Sequence, residues 1–143
     1  MKYNKIFENL FVLELANNHW GDLERGKEIV RQFAKVIKEN KVRAAIKLQF
    51  RDTDNFIHKD FKSEGEGTDL TSLPKRSRYI QKQARTKLTF EEFKELVDYI
   101  KKHDCIPMST PFDEKSVDWC VELDLPIIKI ARHTSLLIFH QMG

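Results

Sequence analysis

Four apolar runs of this chain end in residues that handle anions or protons. Glu14 closes Phe11-Val12-Leu13-Glu14-Leu15, and Lys47 and Gln49 alternate with Ile46, Leu48 and Phe50. Ser109 and Thr110 follow Cys105-Ile106-Pro107-Met108, and Lys129 sits between Ile128 and Ile130. Two ammonium groups, an amide, two hydroxyls and a carboxylate suit a phosphorylated, carboxylated small molecule: the lysines act as point charges and the hydroxyls donate hydrogen bonds. A bland alternative stands beside it, in which Lys47 pairs with Glu14 and Lys129 snorkels at a strand end. Spacing alone leaves both open.

Other reactive side chains carry weaker signals. His19 serves either as an acid or base, or as a hydrogen-bonding anchor of its Asn-His-Trp-Gly turn, and Trp20 reads as a packing residue. His58, His103, His133 and His140 lack partners at metal-ligand spacing. Cys105 and Cys120 fall on apolar faces without a CxxC pattern, as buried reduced thiols do.

The elements that position these groups follow from periodicity. Phe11 to Leu15 reads as a strand, and Leu23, Gly26, Val30, Phe33 and Ile37 recur at helical steps from a cap at Asp22. Ala44 to Phe50 alternates as a second strand. Arg51 to Arg76 loses periodicity, as a lid or a mobile excursion does, and a short helix is expected over Tyr79 to Arg85. Thr89 and Glu92 form a capping box before a stripe of Phe93, Leu96, Val97 and Ile100. Cys105 to Thr110 is a third strand, in which Pro107 predicts irregular pairing. Asp113 then caps a helix with Val117, Cys120 and Leu123 inward, and a short strand carries Lys129. Strands alternating with helices predict an α/β fold with a parallel sheet, in which ligands bind at the strand carboxyl ends.

Composition is that of a soluble globular chain: 143 residues, 41% hydrophobic and 33% charged, with a net charge of +3. The signs are interspersed, so nucleic-acid binding is not expected. No apolar run suits a signal peptide or a membrane span, which predicts a cytoplasmic protein.

Four motifs taken together resemble the sialic acid synthase family, that is, the N-acetylneuraminate synthases and their legionaminate, pseudaminate and spore-coat polysaccharide relatives. They are LELANNHWGDLERGKEIV, AAIKLQF, MSTPFDEKSVDWCVEL and LPIIKIA, in order from about Phe11 to Ala131. The resemblance implies a (β/α)₈ barrel of TIM type. It implies a transferase that condenses phosphoenolpyruvate with N-acetylmannosamine or a related aminosugar, giving a nine-carbon 2-keto sugar acid and phosphate in carbohydrate biosynthesis. A divalent metal, Mn or Mg, is expected with it. By position, Glu14 matches the catalytic glutamate near the sugar's reacting carbonyl. Lys47, Thr110 and Lys129 match phosphoenolpyruvate contacts, Gln49 faces the sugar, and Ser109, beside Thr110 in the Ser-Thr-Pro-Phe motif, is a further substrate-binding candidate.

The pattern breaks at Arg132, where the family continues with a serine, and no counterpart of the family's metal-binding histidines follows. The expectation is a partial barrel of about the first four βα units over residues 1–131, with a divergent tail over 132–143. Such a truncated, frameshifted or split enzyme is expected to be weak or inactive alone, and to self-associate or pair with a complementing chain. The alternative is a non-catalytic anion-binding or interaction fragment that works with a second polypeptide.

Overall fold

The structure, a computed structural model, describes residues 5–56 and 67–131. Strands β1 (Leu10–Ala16), β2 (Arg43–Phe50), β3 (Ile106–Pro111) and β4 (Ile127–Ile128) lie side by side in chain order, all parallel. Parallel neighbours cannot be joined by a tight hairpin, so each connection crosses over through helix. Helix α1 (Leu23–Asn40) links β1 to β2. Helices α2 (Thr53–Phe56), α3 (Lys75–Arg85) and α4 (Phe90–Lys102) lie between β2 and β3, and α5 (Glu114–Glu122) precedes β4. This is an α/β fold consistent with the first four units of a barrel of TIM type.

Local sequence sets the helix ends as the caps predict. Asp22 accepts from the Arg25 amide at 3.1 Å, and Thr89 and Glu92 form the reciprocal capping box of α4. Asp113 accepts from the Ser116 amide at 2.7 Å. On α4 the whole stripe of Phe93, Leu96, Val97 and Ile100 is buried. It meets α1 at Gly26, where a Cβ would stand 3.3 Å from a Leu96 methyl, so the absence of a side chain lets the two helices approach.

Three expectations change. Helix α3 starts at Lys75, directly after Pro74, not at Tyr79. Its inward residues, Ser77 and Gln81, are polar, so no apolar stripe marked its first turn. On α5, Val117 is 44% exposed: the inward line runs Ser116, Cys120, Leu123 and leaves Val117 beside it. Pro107 does not disturb its strand, because β2 and β3 pair in unbroken register from Ala45↔Ile106 to Phe50↔Pro111. The carbonyl of Ser109 accepts from the Lys129 amide, so Pro107, two residues earlier, also turns its nitrogen toward the β4 side. There β4 pairs only with Met108 and Ser109, so no ladder bond is lost.

The sheet has two unlike faces. One, with Leu15, Ile46, Leu48 and Phe50, packs on α1, α4 and α5 and forms the main core. Alternation sends Lys47 and Gln49 to the other face, where Ala45, Met108 and Ile127 make a small apolar cluster with Leu10 and Ile106.

Candidate functional site

The register places Glu14 opposite Lys47 and Gln49 opposite Thr110, toward the carboxyl ends of three adjacent strands. A register shift between Glu14 and Ala16 marks a bulge at the end of β1, with Ala16 at φ 49°. Such a bulge re-aims the last side chains of a strand. The Lys47 ammonium forms an ion pair with Glu14 and donates to Thr110 Oγ1 at 3.4 Å. Its side chain is only 7% exposed, whereas that of Glu14 is 47% exposed. The ammonium carries three protons and, among the described residues, has one half-solvated carboxylate and one long hydroxyl contact as partners. This leaves it suited to hold a further anion.

The remaining predicted residues are placed differently. Gln49 lies on the Lys47 face and lines a small cavity with Asn17 and His19. Lys129 follows β4, its amide bonded to the Ser109 carbonyl at 2.9 Å and its side chain exposed. Ser109 is not brought to the cluster. It is fully buried, donates to the Leu48 carbonyl at 3.4 Å and bonds the Cys120 thiol, on the side opposite Thr110. Period two separates adjacent hydroxyls, so one motif cannot deliver both to the same face.

His19 anchors its turn. Its Nδ1 accepts from the Gly21 amide at 3.0 Å, within a loop also closed by Asn18 on the Leu15 carbonyl and Arg25 on the Asn18 carbonyl. Burial lowers its pKa to about 4, against a smaller upward pull from Glu92. The ring is neutral near pH 7 and its accepting nitrogen is occupied, so the anchoring reading holds. Trp20 is not a packing residue: it is 52% exposed, with Lys82 4.8 Å and Arg25 5.9 Å from its ring.

Sequence reasoning missed Asp52, Thr53 and Lys115. Asp52 is buried at the end of β2, where its carboxylate lies 3.3 Å from the Lys115 ammonium and its amide donates to Asp113 at 2.8 Å. Position was the available signal, since Asp52 and Thr53 follow within three residues of a strand's carboxyl end. Both cysteines are buried free thiols, and burial pushes Cys120 up to about 11, so neither is an activated nucleophile.

Among the described residues, no three His, Cys, Asp or Glu side chains converge to hold a metal. His58, His133, His140 and the tail over 132–143 lie outside the described residues. No described helix is long and apolar enough to cross a membrane.

Four parallel strands with interleaved helices, and polar groups gathered at the strand carboxyl ends, define an α/β protein consistent with the first four units of a TIM-type barrel. The chain belongs to the NeuB family, whose model matches residues 35–137. It is 33% identical over 120 residues to an uncharacterized protein of Methanocaldococcus jannaschii, covering 84% of this chain and 29% of that protein. It is 29% identical over 123 residues to the N,N'-diacetyllegionaminic acid synthase of Campylobacter jejuni, covering 86% of this chain and 35% of that enzyme. Among solved structures, a protein assigned to spore coat polysaccharide biosynthesis from Chromobacterium violaceum matches with a TM-score of 0.73 at 35% identity, over 86% of this chain and 34% of that one. The N-acetylneuraminic acid synthetase of Leptospira borgpetersenii matches in fold, with a TM-score of 0.59 at 20% identity, over 85% of this chain and 35% of that one. The chain thus spans about a third of the length of these relatives.

Proposed function

We propose that this chain carries one wall of a sugar-acid synthase site, in which phosphoenolpyruvate condenses with N-acetylmannosamine or a related aminosugar. One carbon–carbon bond forms, water is consumed and phosphate is released. The carrying observation is the Lys47 ammonium, buried at the strand ends with only Glu14 and Thr110 as described partners. Membership of a family that includes a legionaminic acid synthase supports the sugar-acid class.

In this reading Lys47 and Lys129 neutralise phosphoenolpyruvate, Thr110 donates a hydrogen bond, Gln49 faces the sugar and Glu14 lies near the reacting carbonyl. Ser109, turned to the helix layer, supports β3 and does not meet ligand. A divalent metal would polarise the aldehyde. Among the described residues no cluster of three His, Cys, Asp or Glu side chains offers it a ligand set.

A second reading, a non-catalytic anion-binding unit that pairs with another polypeptide or a second copy, is favoured by one observation. In the described sheet β1 has a neighbour on one side alone, and Val12 and Phe11 on it are 47% and 57% exposed. Calorimetric titration with phosphoenolpyruvate tests the anion site that both readings share, and the expected result is saturable binding at one site. Phosphate release that requires both aminosugar and divalent metal then separates the synthase from the binding unit. Absence of binding at millimolar phosphoenolpyruvate would overturn the proposal.

A further inference from the structure

Beside the strand-end cluster, the first loop, the end of β2 and the α3–α4 connection line a small, partly open cavity with a free volume of ≈ 10 Å³. That is about the room a single water-sized group requires. Two side chains on its wall are buried and, among the described residues, have no hydrogen-bond partner at one atom: His19, 1% exposed, at Nε2, and Thr53, 6% exposed, at Oγ1. Because Nδ1 of His19 accepts from the Gly21 amide, the proton of the neutral ring sits on Nε2. The burial that lowers its pKa keeps the ring neutral near pH 7. Nε2–H is therefore a fixed donor without an acceptor among the described residues, a costly arrangement in a protein interior unless something fills it.

The charges on the wall name the kind of group that fits. Arg51 and Lys87 line the cavity and, among the described residues, no carboxylate does, which disfavours a cation and favours an oxygen with lone pairs. Gln49 lines it too while sharing the face of Lys47, so the cavity adjoins the strand-end cluster.

We propose that this cavity is a binding site for one hydrogen-bond-accepting oxygen, held between His19 Nε2–H and the Thr53 hydroxyl. The oxygen belongs either to a sequestered water or to a hydroxyl or acyl carbonyl that projects from the aminosugar. The sugar source rests on the proposed function; the water source stands without it.

The test is ¹H–¹⁵N NMR of the full chain labelled at histidine, alone and with N-acetylmannosamine added to millimolar concentration. His19 is expected as the Nε2–H tautomer, with that proton exchanging at least tenfold more slowly than in a free imidazole. A cross-peak to a long-lived water that survives the sugar assigns the oxygen to water. A shift of the Nε2 signal on adding the sugar assigns it to the sugar, and either result supports the site. Thr53→Val should remove whichever signal is present while the Nδ1 hydrogen bond from the Gly21 amide persists; Thr53→Ser should retain it. An Nδ1–H tautomer, an Nε2 proton exchanging as in free imidazole, or signals indifferent to Thr53→Val would overturn the proposal. Loss of the sugar response alone, with the water signal intact, still supports the site and leaves the phosphoenolpyruvate reading to its own titration.

Discussion

Removing either partner of the Glu14–Lys47 pair should have unequal effects on stability. Lys47 is 7% exposed and Glu14 47% exposed, so the cost of desolvation falls on the lysine. Glu14→Gln leaves a buried ammonium with the long Thr110 contact and an amide. Breaking a fully buried pair costs ~3 to 5 kcal/mol, and because water reaches the Glu14 side we expect about 2 kcal/mol here. Lys47→Met keeps the apolar stem, removes the buried charge and frees Glu14 to turn to water, so we expect a change within about 1 kcal/mol. Urea unfolding reads the difference: with a slope of ~1 to 3 kcal/mol per molar, Glu14→Gln should lower the midpoint by about 1 M and Lys47→Met by far less. A Lys47→Met variant destabilised as much as Glu14→Gln, or more, would show that Lys47 holds the fold together. The argument that it is kept for an anion would then fail.

Three further outcomes follow from the same geometry. Because burial lowers the pKa of His19 from 6.5 to about 4, the folded chain binds fewer protons than the unfolded one between those values. Its contribution is complete above pH 6.5 and is lost as pH falls toward 4, by up to about 3 kcal/mol; urea midpoints at pH 7 and pH 4.5 should differ more in wild type than in His19→Asn. At Gly21, φ is +75° and a Cβ would stand 3.1 Å from Thr86 Cα and 3.2 Å from the carbonyl oxygens of Arg85 and Lys87. Gly21→Ala should therefore cost about 2 kcal/mol in urea unfolding, through left-handed strain and backbone contact, and a neutral result would count against this packing of loop on helix end. The Cys120 thiol, pushed up to about 11 and 1% exposed, should resist iodoacetamide at pH 8 in the folded chain and react in urea; fast native labelling would contradict its burial.

Much of the fold was legible because its signals are local. The alternation of Ile46, Leu48 and Phe50 with Lys47 and Gln49 assigned both faces of β2, and the Thr89–Glu92 box marked the start of α4 to the residue. What escaped was non-local or written in polar residues. Helix α3 buries Ser77 and Gln81, which hydropathy does not register as a face. The Ser109–Thr110 pair reads as one motif, yet the pleat divides it, and only Thr110 reaches Lys47. The cavity at His19 and Thr53 joins a loop, a strand end and a helix connection far apart in the chain, so no spacing rule could find it.

The most direct measurement is the affinity of wild type and Lys47→Met for phosphoenolpyruvate, titrated calorimetrically at two salt concentrations. A charge-assisted hydrogen bond contributes ~1.5 to 3 kcal/mol, so the variant should bind about 10- to 100-fold more weakly while remaining folded. The salt dependence of binding should fall with the lost charge. Equal affinity in the two proteins would contradict the claim that Lys47 is the anion-holding group at the strand ends.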